Sequence, residues 1–431
     1  MLQVLGGVWA LLLGMVLIMI GNGMQSTLMG VRGGPEGFST LSLSIITSGY
    51  FVGFLAGSRI APLMIRHVGH VRVFAALGSF MSAGLILFPL IVEPWLWTLL
   101  RVGLGFCLSG VYVTAESWLN NAASNRTRGT VLSAYMVAQM LGMIAAQGAL
   151  NLADAGGFAL FILSSVLVSL SFAPILLSAQ PGPPTQVAKP MSLRQLYDRS
   201  PLGTVGTFLL GGVFSAQLGM ASVYGTAAGF GLREVSLFVA AIFAGALVLQ
   251  FPIGWLSDRL DRRGLILGVS ALGAAACLGG LLLGGGFGPL LVAAFLMGGM
   301  ASPLYSLLIA YTNDYLEVED MPAASGGLVF IYGLGAIVGP LATGQIMELV
   351  GPDGFWAFLG AVFAAITLYA AWRMTRRPVT AEESRAYLGV VPTASPVAVE
   401  AAQEWYAEEA ERADEAEAAE AAETGEEATS R

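Results

Sequence analysis

Polar and ionisable side chains set inside long apolar runs are scarce in this 431-residue chain, and they are where any chemistry would be done, because each costs free energy in an apolar surround. Arg101, Gly105, Tyr112 and Glu116 recur at spacings that share one helix face at 100° per residue. At 1.5 Å per residue Glu116 lies about 22 Å along the axis from Arg101, so the two need separate partners. For Glu116 the candidates are Arg126, Arg128 and the loop arginines Arg66 and Arg72, a latch that breaks and re-forms; the competing reading is a helix-end carboxylate reaching headgroups. For Arg101 the competing reading is an interfacial anchor below Trp95 and Trp97. Further candidates to line a polar cavity are Asn22, Gln25, Tyr135, Gln139, Ser215, Gln217, Tyr224, Tyr305 and Tyr332, each weighed against an ordinary packing hydrogen bond. Amides and phenols do not titrate near neutral pH, so such a lining suits a neutral or amphipathic solute. No nucleophile with a base, no phosphate-cradling glycine loop and no paired carboxylates point to an enzyme or call for a cofactor. His67 and His70 fall in a loop and Cys107 and Cys277 in apolar runs, which gives no metal-ligand set.

The elements that must position these residues follow from composition. With 56% hydrophobic and 11% charged residues, too little polar surface exists to cover a water-soluble globule of this size. Charges fall in gaps between apolar runs at about 4–24, 41–63, 71–92, 96–119, 129–151, 157–178, 203–226, 233–255, 264–285, 288–312, 323–348 and 354–374. The expectation is an all-α membrane protein with twelve transmembrane helices, placed in the bilayer and handling a small-molecule solute. Thirteen Lys and Arg fall in one set of connections and two in the other, so both termini and the central linker are expected on the cytoplasmic side, despite an acidic loop with Glu317, Glu319 and Asp320.

A charged turn, Gly254-Trp255-Leu256-Ser257-Asp258-Arg259-Leu260-Asp261-Arg262-Arg263, separates two apolar runs. Gly254 lets helix ends approach, Asp258 can accept from a helix N-terminus, and Arg259, Arg262 and Arg263 can hold headgroups or helix C-termini. About 192 residues earlier stands a weakened copy with Arg66, Gly69 and Arg72, and the same offset within a residue pairs Gly105 with Gly298, Tyr112 with Tyr305, Asn120 with Asn313 and Gly142 with Gly335. Register kept over so many helices predicts two tandem six-helix bundles. The bounds expected are 1–178 for the first, 179–202 for a Pro-rich linker ending in a short amphipathic helix, 203–376 for the second and 377–431 for a tail. Residues 1–379 carry a net +3 and residues 380–431 a net −11. The tail is expected to be largely disordered, with Trp405 and Tyr406 as anchors if it binds a partner. No basic patch suggests nucleic acid.

The charged turn resembles the loop after the eighth helix in the major facilitator superfamily, with Asp261 where that family carries glycine. Arg101 and Gly105 resemble its Arg-x-x-Gln-Gly element with Leu104 in place of glutamine; the resemblance implies a part in proton coupling for Arg101. Gly335, Gly339 and Pro340 allow close packing and bending, which makes a hinge of this helix; they resemble the Gly-x-x-x-Gly-Pro element of drug:proton antiporters, found there in helix five. Residues 21–30, 66–72 and 115–120 look like the functionally obscure YcaD-like permeases of bacteria. These resemblances imply a monomeric secondary transporter of the bacterial inner membrane working by rocker-switch alternating access, proton-coupled, with the two charged turns controlling the inner gate; the aromatic, uncharged cavity candidates favour efflux over uptake of a sugar-like metabolite. A receptor signalling through the acidic tail is the alternative of another class.

Overall fold

In the computed structural model, residues 2–123, 127–177, 191–282, 286–316, 320–376, 388–390 and 392–405 are described. The chain forms α1 (Leu2–Gly33), α2 (Thr40–Val68), α3 (His70–Leu87), α4 (Pro94–Ala122), α5 (Arg128–Ala149), α6 (Ala159–Leu177), α7 (Leu193–Arg199), α8 (Pro201–Gly219), α9 (Ala221–Ala227), α10 (Leu232–Ser257), α11 (Arg262–Leu282), α12 (Phe287–Asn313), α13 (Met321–Val350) and α14 (Gly354–Met374). A final helix, α15, spans 396–405. Eleven of these are long and apolar enough to cross a membrane, and α6 is a shorter apolar twelfth. The short helix expected at the end of the linker is α7, started by a Ser192–Gln195 capping box. Arg126, Lys189, Glu317, Glu319, Arg377, Tyr406 and the rest of the tail lie outside the described residues.

The two halves repeat each other contact for contact. A side chain at Gly53 would run into the Val102 carbonyl and Phe106 nitrogen, and one at Gly245 into the Phe295 carbonyl and Gly299 nitrogen. Gly105 lies against the Tyr50 carbonyl as Gly298 does against that of Ile242, and Gly142 meets the Val16 carbonyl as Gly335 meets that of Phe208. Every member of these pairs is displaced by 192 or 193 residues. Glycine at these places lets α2 sit on α4, α10 on α12, α1 on α5 and α8 on α13 at backbone distance, the small-residue packing that helices in lipid rely on.

The connections alternate between two ends. The α2–α3 turn, the α10–α11 turn and the start of α5 share one end, called here the basic end because it carries Arg66, Arg72, Arg128, Arg259, Arg262 and Arg263. At the opposite, far end the halves touch directly: Gly30 lies against Ser222 and Val223, Gly219 against Thr47 and Gly344 against Ser44. The Ser48 hydroxyl donates to the Ile337 carbonyl at 2.9 Å, and Arg59 stacks on Phe330 at 3.9 Å, tying α2 to α13.

Two elements depart from expectation. The seventh span is broken at Met220, with α8 and α9 on either side; a run of apolar and small residues hid the break, since hydropathy does not report backbone direction. Residues 388–390 and 392–405, expected to be disordered, are ordered against the bundle, with Leu388, Val390, Ala394, Ala398, Val399, Ala401 and Ala402 buried. Their alanine and valine content supplies an apolar face that the surrounding glutamates concealed.

Candidate functional site

α1, α2, α4 and α5 of the first half and α8 and α10 of the second converge on a central cavity of about 30 Å³, lined by Asn22, Tyr50, Tyr112, Gln139, Met143, Phe214 and Phe243 among others and closed by Pro392 and Thr393. That volume holds about one water. The centre is therefore nearly closed, by helix side chains of both halves together with Pro392 and Thr393 of the C-terminal segment.

Glu116, 1% exposed on α4, is the deepest acidic group of the site. Its Oε1 accepts the Tyr135 hydroxyl at 3.0 Å and its Oε2 the Ser395 backbone N–H at 2.9 Å. Among the described residues it makes no ion pair; Arg128, a partner proposed for it above, instead meets Glu404 at 3.1 Å. Ser395 caps α15, its hydroxyl accepting the Val397 N–H at 3.2 Å, and Pro396 takes the first helical position, where a missing N–H costs nothing. The carboxylate thus sits where a helix start presents donors and partial positive charge.

Arg101 is equally buried at 1% exposure, so its side chain faces the bundle interior. It donates to Gln25, reaches Ser26 Oγ at 3.4 Å and stacks over the Tyr50 ring at 4.4 Å. Two of the expected residues, Arg101 and Gln25, are thereby brought together. Tyr112 donates to Met19 Sδ at 3.2 Å and packs edge-on against Phe54. Tyr305, its repeat mate, meets Tyr332 with ring centres 5.1 Å apart. Among the described residues the hydroxyls of Tyr305 and Tyr332 and the amide nitrogens of Gln139 and Gln217 are buried without hydrogen-bond partners. Tyr224 is not with them. It stacks on Phe355 at 5.1 Å and packs against Phe230, Phe238 and Trp356 inside the second half.

The expected gate residues divide. Gly69 ends α2 with φ +85° and its N–H on the Ile65 carbonyl, while Arg66 and Arg72 point outward, exposed. Gly254 accepts the N–H of Asp258, the exposed cap of α10. Arg259 folds back over Trp255 at 4.1 Å. Arg262, buried, pairs with Asp314 at the end of α12 and reaches Ser257 Oγ at 3.4 Å. Asp261, the departure from glycine, accepts the Arg263 N–H at 3.1 Å, and so caps α11 as well as standing 3.6 Å from the Arg263 guanidinium. Both ion pairs lie within the second half and so do not bridge the halves. Gly335 and Gly339 are packed on α8, Gly339 against Gly212 and Ser215, and α13 runs unbroken through Pro340. The residues that sequence reasoning passed over are Ser306, Gln250 and Asp314: a lone serine, glutamine or aspartate carries no motif, and only the fold reveals what faces it.

The family profile described as Major Facilitator Superfamily matches residues 203–405, and the matched glycine contacts place the first half in the same pattern. Over residues 203–405, then, the chain is similar to the major facilitator superfamily. Its relatives include an uncharacterized MFS-type transporter of Enterobacter sp. (strain 638), 25% identical over 78% of this chain and 88% of that protein. The uncharacterized MFS-type transporter YcaD of Escherichia coli is 24% identical over 79% of this chain and 89% of its own length. Among solved structures the fold is similar to the nucleoside transporter NupG, with a TM-score of 0.71 at 12% identity, covering 86% of this chain and 99% of that one. It is also similar to a bacterial homolog of the human lysosomal transporter Spinster in an inward-facing, unoccupied conformation, with a TM-score of 0.63 at 14% identity, covering 93% of this chain and 97% of that one. With eleven helices long and apolar enough to cross a membrane, the chain is a multi-pass membrane protein with the fold of these transporters.

Proposed function

We propose that this transporter moves a small uncharged or amphipathic solute in exchange for protons, by rocker-switch motion of two bundles, residues 1–178 and 203–376, as a monomer in a bacterial inner membrane with its basic end toward the cytoplasm. The observation that carries the reading is the set of uncommitted donors: the phenols of Tyr305 and Tyr332 and the amide nitrogen of Gln139 are buried without partners among the described residues. Buried polar groups are rarely left so unless something else is to meet them. Asn22, Gln25, Tyr112, Tyr135 and Gln217 complete the polar lining, and methionine and phenylalanine side chains supply apolar contact. Glu116 is the proton carrier in this reading: a carboxylate deep in the bundle, held by neutral donors, reachable only from one end at a time. Arg101 orders the far end through Gln25 and Tyr50, the charged turns steady the basic end, and Gly335, Gly339 and Pro340 give α13 its bend.

Solutes that raise the melting temperature of the purified protein are to be taken into proteoliposomes with an imposed pH gradient. An acidic lumen driving solute inward marks exchange, and so export in the cell; an acidic exterior doing so marks symport. Indifference to both gradients ends the proton-coupled reading. Uptake of a neutral metabolite is the second reading, favoured by the same hydroxyl and amide donors, which suit a polyhydroxylated solute such as the class named for NupG.

A further inference from the structure

We propose that residues 388–390 and 392–405 form a built-in plug: the segment occupies the passage between the halves at the basic end and excludes solute until it leaves. Its hydrogen bonds go to both halves. On the second half, Ser306 Oγ accepts the Val390 N–H at 2.9 Å and donates to the Val390 carbonyl at 3.1 Å, with Gln250 Nε2 reaching the same hydroxyl at 3.1 Å. Gln403 Nε2 donates to Asn313 Oδ1 at 2.8 Å. On the first half, the Ser395 N–H goes to Glu116 at 2.9 Å, the Thr393 hydroxyl to Gln139 at 3.5 Å and Glu404 to Arg128 at 3.1 Å.

The seat fits this segment in particular. A Cβ at Gly389 would stand 2.9 Å from Gln250 Nε2 and 3.1 Å from Met136 Sδ, so the segment passes close between these two side chains. Trp405 lies over Gly129, where a Cβ would come within 3.2 Å of the indole nitrogen. The pairing of Glu116 with the start of α15 adds a directional lock, since a helix start offers N–H donors along one axis. A ligand bonded to both halves also fixes their spacing, and rocking requires one set of these bonds to break. The segment sits on Glu116 and Gln139, two of the groups assigned above to solute and proton, so plug and solute exclude each other.

The test reads access directly and needs no known solute. In a Cys107→Ala, Cys277→Ala background, Met136→Cys places one thiol under the plug. Its labelling by fluorescein maleimide is timed in the purified full chain, in the full chain with Val390→Pro or Ser395→Pro, each of which deletes one N–H donor, and in a chain stopped after Arg376. The full chain is expected to be protected, and each proline variant to label about tenfold faster or more, the loss expected for a hydrogen bond to a buried polar or charged group. A synthetic peptide of residues 386–407 added to the shortened chain should restore protection. Equal labelling in the full chain and both proline variants, or no protection by peptide of a shortened chain that keeps its melting transition, overturns the proposal. Should the shortened chain fail to fold, the proline variants decide alone.

Discussion

Glu116 and Glu400 carry the sharpest residue-scale consequences. Replacing Glu116 by Gln keeps the shape and the Tyr135 contact but removes the proton site, so pH-driven transport should fall at least about 100-fold while downhill exchange of the same solute persists; equal loss of both would assign Glu116 to solute binding instead. Glu400 sits on α15, outside the spans, and burial, with Glu404 adding to it, pushes its carboxyl up to about 7. A raised value in the docked segment means that docking is favoured while the group is protonated and loses that contribution as pH rises through about 7. Protection of the Met136→Cys thiol should therefore weaken between pH 6 and pH 8, and Glu400→Gln should flatten the profile. A profile unchanged by that substitution would place the titration elsewhere.

Among the elements, the paired glycine contacts make a quantitative demand. Gly53→Val and Gly245→Val push a branched side chain into the same kind of neighbour, the carbonyls of Val102 and Phe295, and each should cost about 1–3 kcal/mol or more of packing. Melting of the two purified variants should drop by similar amounts; a large inequality would mean that the repeat is geometric without being energetic. Much of this architecture was legible in the sequence, because apolar runs of fixed length and glycines at a constant offset are one-dimensional signals. Tyr224 lies away from the cavity; helical periodicity says which face a residue occupies but not which neighbour that face meets. The ordered tail was missed for a different reason. Ser395-Pro396 is a helix-start signal, yet it was outweighed by the glutamates that follow, whose like charges argue against an isolated helix. Burial of the alanine and valine face between the halves, which composition cannot foresee, reverses that balance.

At the scale of the whole molecule, closure of the far end must be undone in every transport cycle. A Cβ at Gly34 would lie 3.5 Å from Thr226 Cγ2, so Gly34→Cys with Thr226→Cys places two thiols across the halves. Oxidation should stop solute movement in proteoliposomes and reduction should restore it, whereas unchanged flux in the oxidised protein would show that the halves need not part there.

Because the plug segment is covalently attached to the molecule it blocks, it acts at an effective concentration on the order of millimolar for a short tether, whatever the abundance of the protein. The apparent affinity for any solute is diluted by the fraction of time the cleft stands empty. Trace amounts pass unnoticed, and flux begins only once the solute accumulates or the cleft is vacated by an alkaline shift, which is the behaviour of an overflow valve.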